Sequence, residues 1–174
     1  MGDRHVTGPV MSSLLLSFAL ASLPMVSDMR SDLAGPVLAA HNVERARVGA
    51  PPLQWDADLA VQATAYAQAL AGGAPFVHSP RTGRSGQREN LSRGLPGASA
   101  LQMVGYWTVE RRNFAPGVFP NVSRTGDWED VAHYTQMIWK TTTRVGCGIA
   151  GGRTGEFMVC RYSPPGNADG RLVP

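Results

Sequence analysis

Two short runs in the last third of the chain, Val145–Ile149 and Phe157–Tyr162, constrain its fold more than any other feature. Alternate residues of a strand share a face, so Val145, Cys147 and Ile149 point one way, as do Met158, Cys160 and Tyr162 on the second run. Antiparallel pairing of Cys147 with Cys160 sets Ile149 opposite Met158 and Val145 opposite Tyr162. The same register leaves Gly152-Arg153-Thr154-Gly155 as a four-residue hairpin loop. Cys147 and Cys160 are the only cysteines. In an exported chain this pairing makes a disulfide the expectation, with two buried free thiols as the alternative. A zinc site built on these two sulfurs alone is short of ligands.

Export is expected from the N-terminus. Arg4 and His5 precede an apolar stretch from Val10 to Leu23, and Ala19-Leu20-Ala21 has the small-x-small form of a signal-peptidase site. Pro24 and Ser27-Asp28 interrupt the run before it reaches the roughly 20 residues of a membrane span. A signal peptide over 1–21 and a linker over 22–34 are therefore expected, with a non-cleaved anchor or a start at Met11 as alternatives. The product is expected to be secreted, either extracellular or periplasmic.

The remainder, 35–171, has the length of one domain. Pro36 opens a helical stretch that runs to Val48 and stops at Gly49. Asp56 caps a second helix over 58–71, where Leu59, Ala63, Tyr66 and Leu70 recur at helical spacing. Residues 74–97 are rich in Gly, Ser, Arg and Pro and read as loop with short ordered pieces. Ser99 caps a third helix reaching Arg112, Pro116 to Asp127 is loop, and His133 to Trp139 forms one or two helical turns. Pro164-Pro165-Gly166 closes the domain. Helices and strands without strict βαβ alternation give an α+β fold. With 43% hydrophobic and 17% charged residues the chain is globular, and a net charge of +3 does not favour nucleic acid as a partner.

Histidine and glutamate are scarce enough to weigh singly. His41 on the first helix suits a structural hydrogen bond. His78, Glu89, Glu110 and His133 lie far apart in sequence. Glu110 follows Trp107 by one helical turn and shares its face. Residue types alone do not bring these four together, and solvated or locally bonded roles stay open for each.

The order of eight short motifs changes that reading. They are Ala40-His41-Asn42 with Arg45; Pro52 to Asp56 with Leu59-Ala60; Phe76-Val77-His78-Ser79; Glu89-Asn90-Leu91; Trp107-Thr108-Val109-Glu110; His133-Tyr134-Thr135-Gln136-Met137-Ile138-Trp139; Val145-Gly146-Cys147; and Cys160 to Asn167. In this order they resemble the CAP superfamily, the cysteine-rich secretory, antigen 5 and pathogenesis-related 1 proteins, from about Leu38 to Gly170. The resemblance implies a three-layer α-β-α sandwich. It also implies a central cavity lined by His78, Glu89, Glu110 and His133, in which His78 and His133 ligate a divalent metal such as Zn or Mg. Arg88 departs from the pattern, standing where many relatives have glycine, and Ala132 replaces the usual glycine or polar residue before the second histidine.

What the resemblance implies about function is a monomeric, non-enzymatic binder of a small apolar ligand, a sterol or fatty acid, or of an extracellular partner. Phe114, Val118, Phe119 and Val122, in and beside the loop from Pro116 to Asp127, are candidate ligand contacts; alternatively they seal the core edge. The competing class is a metal- or Glu/His-dependent hydrolase, which two histidines and two glutamates could serve. The chain has no HExxH and no GxSxG, and Ser79 and Ser92 have no identified nucleophilic role.

Overall fold

A computed structural model describes residues 1–2 and 32–174. The expected targeting segment, apart from Met1 and Gly2, and all but the end of the expected linker lie outside the described residues. In chain order the elements are α1 (Ala34–Arg47), β1 (Gln54–Trp55), α2 (Ala57–Ala71), β2 (Arg88–Gly94), α3 (Ala100–Thr108), β3 (Gly117–Val118), α4 (Ala132–Ile138), β4 (Arg144–Gly152), β5 (Gly155–Ser163) and β6 (Leu172–Val173). A 3-10 turn, Val109–Asn113, extends α3, and another, Trp128–Val131, leads into α4.

Local sequence accounts for the helix starts. The Asp56 side chain accepts from Leu59 N at 3.0 Å, and Ser99 with Gln102 forms a reciprocal capping box on α3. Helix α4 has no cap of its own, since Val131 occupies its N-cap. The donors at its start are met from elsewhere in the chain.

The main sheet runs β1-β4-β5-β2, and β3 pairs with β6 in a separate two-stranded ribbon. In the hairpin Cys147 faces Cys160, Ile149 faces Met158 and Val145 faces Tyr162, and the two cysteines are bonded. The loop is shorter than expected. Gly152 pairs with Gly155, leaving only Arg153 and Thr154 to turn. Gly155 at φ 136° takes the positive-φ position after the turn, which a side chain resists.

Alternation along the strands builds three layers. Val145, Cys147, Met158, Cys160 and Tyr162 face a core shared with Val37, Met103, Trp107, Tyr134 and Met137 of α1, α3 and α4. On the other face Leu91, Phe157 and Val159 pack against Ala63, Ala67 and Leu70 of α2. Gly146 and Gly148 put no side chain between β4 and α2. A Cβ on Gly148 would run into the backbone and hydroxyl of Thr64, so helix and strand touch directly. The fold is an α+β sandwich, with α2 on one side and three helices on the other.

Three expectations need correction. Residues 88–94, assigned to loop, form a seven-residue strand pairing with β5 from Arg88 opposite Tyr162 to Gly94 opposite Glu156. The loop after Pro116 contains β3, and the packed unit continues beyond Pro165-Gly166 to Val173, which is fully buried. Phe114, Phe119 and Val122 are also buried: Phe114 lies edge-on to Tyr134 at 5.4 Å, and Phe119 to Trp139 at 5.9 Å. They seal the core edge, leaving only Val118 of the four exposed.

Candidate functional site

Strand β2 is the sheet edge nearest the site, and its alternation sorts the site residues. Glu89 pairs in register with Arg161 and lies on the α2 face, while Asn90 pairs with Cys160 on the opposite face. The two histidines accordingly reach the site from different layers.

Glu89 is almost fully buried, and both of its carboxylate oxygens are engaged by polar partners. Its Oε1 accepts from His78 Nδ1 at 3.1 Å and from Ser79 N at 3.0 Å. Its Oε2 accepts from Ser79 Oγ at 2.8 Å and lies 3.5 Å from Arg161 Nε. Burial pushes this carboxyl up, but the hydrogen bonds from His78 and Ser79, with Arg84 nearby, outweigh it and hold the group below the usual carboxylate range.

Glu110 plays a second part. Its Oε1 accepts from His133 Nδ1 at 2.6 Å, while Oε2 accepts from the backbone N–H groups of His133 and Tyr134, each at 3.0 Å. It supplies the cap that α4 lacks, with its negative charge at the helix N-terminus. The His133 ring stacks on Trp107 at 6.1 Å and 13°. The shared face of Trp107 and Glu110 is thus the face that holds His133.

A carboxylate can only accept, so Nδ1 of both His78 and His133 carries a proton in these pairs, and Nε2 is left outside the pair. Both imidazoles line one cavity of about 510 Å³, together with Glu89, Asn90, Arg81, Arg84, Arg88 and an opposing wall of Phe119, Pro120 and Trp128. Glu110 stands behind His133 and does not line it. Among the described residues no group of three or more His, Cys, Asp or Glu is placed to hold a metal ion.

A buried polar chain ties this site to α1. His41 Nδ1 donates to Val37 O at 2.8 Å, so its Nε2 accepts from the Tyr162 hydroxyl, also at 2.8 Å. Asn90 Nδ2 donates to the Tyr162 oxygen at 3.2 Å and to His133 O at 3.1 Å. Burial pushes Tyr162 well above its ordinary range, which keeps its proton in place. The His-Tyr-Thr-Gln and Gly-Asn pieces also meet. Gly166 N donates to Gln136 Oε1 at 3.0 Å, and Asn167 Nδ2 donates to Ala132 O at 2.8 Å. Distant motifs are therefore one hydrogen-bonded unit around α4.

Sequence reasoning placed none of Arg81, Arg84, Arg161, Ser79 and Asn90 in the site. Arg88, which departs from the family pattern just before Glu89 and is expected to alter the cavity mouth, does line the cavity. The available signal was the spacing of three arginines over 81–88 immediately before Glu89.

A family model described as the cysteine-rich secretory protein family, CAP, matches residues 38–162. Among curated proteins, a PR-1 type pathogenesis-related protein of Sambucus nigra is 37% identical over 139 residues, covering 76% of each chain. Pathogenesis-related protein 1 of Arabidopsis thaliana is 32% identical over 155 residues, covering 88% of this chain and 90% of its own. Among solved structures, NaASP2 crystallised with Zn²⁺ superposes with a TM-score of 0.66 at 23% identity, covering 79% of this chain and 82% of that one. BmVAL-1 does so with a TM-score of 0.64 at 25% identity, covering 90% and 86%. Among the described residues no helix is long and apolar enough to cross a membrane.

Proposed function

The chain belongs to the CAP family of cysteine-rich secretory proteins, and from that premise we propose that it is an exported, non-enzymatic binder of a small apolar molecule, a sterol or fatty acid. The observation that carries this is a second cavity, of about 450 Å³, between the starts of α1 and α3. Its walls are Leu33, Pro36, Ala98, Ala100, Leu101 and Ile149. Small-ligand sites are typically apolar and roughly 300–1,000 Å³. Among the described residues its charged lining is Asp32 and Glu156, and the Glu156 carboxylate accepts from Gly97 N at 3.1 Å.

Leu101 is exposed at this groove, so a charge there is tolerated by the fold but not by an apolar guest. Labelled sterol should bind saturably to the purified protein, and Leu101→Asp should weaken binding by about tenfold or more. Binding that is absent, or indifferent to the substitution, removes this reading.

A hydrolase has less support from the geometry. The Ser79 hydroxyl donates to Glu89 and accepts from Arg161 Nη2 at 3.3 Å, and it is not bonded to an imidazole. Glu110 is committed to a helix terminus and to His133.

The same proposal assigns a divalent cation, Zn or Mg, to His78 and His133. Each imidazole is oriented by a carboxylate through Nδ1, the arrangement that raises ligand basicity in metal sites. Two protein donors make an exchangeable site completed by solvent, weaker than three- or four-ligand zinc centres. Zinc at about 100 times its dissociation constant should stabilise the fold by about 2.7 kcal/mol, read as a rise in melting temperature. The His78→Ala/His133→Ala double variant should lose that rise. An undiminished rise places the ion elsewhere.

A further inference from the structure

We propose that the 510 Å³ cavity binds a phosphate monoester, its phosphate held by the guanidinium groups of Arg81, Arg84 and Arg88 and its organic body against Phe119, Pro120 and Trp128. This site is separate from the apolar groove between α1 and α3, so either can fail without the other.

Three arginines from one eight-residue stretch line the same cavity. Arg84 is buried at 8% exposure; its Nε donates to Ser79 O at 2.9 Å, and its two terminal nitrogens have no hydrogen-bond partner among the described residues. Neither Arg81 nor Arg88 has a side-chain hydrogen bond or an ion pair within 4.0 Å among those residues. Two carboxylates line the cavity. Glu89 is already engaged by His78, Ser79 and Arg161. Asp169 acts on Arg88 only at a distance.

The positive charge therefore exceeds what the protein neutralises. Burial lowers the pKa of Arg88, and repulsion from Arg81 and Arg84 lowers it further while Asp169 opposes the trend. Burial likewise lowers Arg84, which Arg81 and Arg161 also depress against the pull of Glu89. An anion in the cavity relieves this repulsion.

The class of anion follows from shape and size. A planar carboxylate saturates one guanidinium fork, whereas a tetrahedral phosphate dianion offers three terminal oxygens to several forks at once. The cavity is much larger than inorganic phosphate, and the aromatic wall gives an attached ring or chain something to pack on. A monoester presents that headgroup either on a soluble small molecule or on phosphatidic acid.

The test uses the mature protein in EDTA at low ionic strength, with phenyl phosphate and inorganic phosphate titrated by calorimetry. Phenyl phosphate should bind saturably and more tightly than inorganic phosphate, with affinity falling as salt rises. Arg88→Gln should weaken it about tenfold, as for loss of one charge-assisted hydrogen bond. Arg81→Gln/Arg88→Gln should remove it. Neither side chain makes a hydrogen bond among the described residues, and melting temperatures without ligand check that both variants fold. Co-sedimentation with vesicles containing phosphatidic acid distinguishes the source. Capture by vesicles without phenyl phosphate binding, lost in the double variant, assigns the site to the lipid headgroup. No saturable binding of either form up to about 10 mM phosphate, or binding unchanged in the double variant, overturns the proposal.

Discussion

Arg45→Met is expected to destabilise the domain by about 4 kcal/mol or more, the largest loss of any single substitution considered. Arg45 is completely buried, yet among the described residues it pairs with no carboxylate. Its Nη1 donates to Met137 O and Trp139 O, each at 2.9 Å, its Nη2 to Thr142 O at 2.9 Å, and its Nε to Pro51 O at 2.6 Å. Two of these acceptors lie in the last turn of α4 and just beyond it, where unpaired carbonyls concentrate negative potential. Burial lowers the guanidinium pKa to about 10, so the group is still charged at neutral pH. Methionine keeps much of the volume but takes the donor away from the Met137 and Thr142 carbonyls, whereas Trp139 O keeps the N–H of Thr142 and Pro51 lies at the surface. Arg45→Lys restores the charge from a single nitrogen and cannot span these carbonyls, so it should recover only part of the loss. Urea unfolding measures both variants. A loss below about 1 kcal/mol for Arg45→Met contradicts this role.

The position of Arg45 matters for the site as well as for stability. Helix α4 has seven residues, too few to be stable alone, and no cap of its own. Glu110 holds its first turn and Arg45 its last, from the end of α3 and from α1 respectively. His133 sits between these two anchors. Its ring orientation, set by Glu110 and Trp107, is a product of packing among three helices rather than of the local sequence.

That dependence explains what could and could not be read from the residues. The ends of α2 and α3 carry their own chemistry in Asp56 and in the Ser99–Gln102 box. The hairpin register follows from which residues share a face. Strand β2 offers neither signal. Arg88, Glu89, Asn90 and Ser92 are polar, and Leu91 is the one large apolar residue in the strand. Its polar residues are tolerated because Glu89 and Asn90 find specific partners in distant segments, and sequence spacing does not encode those partners. The same reasoning covers the loop after Pro116, where sequence left ligand contact and core-edge sealing both open. Phe114, Phe119 and Val122 lie in a segment without helical or strand periodicity, where burial is set by the overlying chain rather than by pattern. Arg45 was recognisable as part of a motif, but a basic residue near a helix end ordinarily reads as solvated.

Lowering the pH from about 7 to about 4 should remove about 3 kcal/mol of stability through His41 alone. This histidine is fully buried, and burial, reinforced slightly by the charge of Arg45, pushes its pKa from 6.5 down to about 4 against the hydrogen bond to Val37. The folded state holds it neutral, with Nε2 accepting from Tyr162. Between these two values the unfolded chain binds the proton and the folded chain does not, so stability rises with pH. The contribution is fully present above 6.5 and is lost progressively as pH falls to about 4. Glu89 acts in a lower window, because its contribution persists above the ordinary carboxylate value of 4.5 and is lost only as pH falls through its depressed pKa. Protonating His41 also takes away the acceptor for the Tyr162 hydroxyl, which in turn accepts from Asn90 beneath His133. Loss of stability and loosening of the cavity wall should therefore begin together. Unfolding free energies measured across this range for the wild type and for His41→Asn separate the effect from other titrating groups. The variant should be less stable near neutrality and nearly flat where the wild type slopes, so that the two curves converge on acidification. Parallel curves would show that the proton taken up on unfolding belongs to another residue.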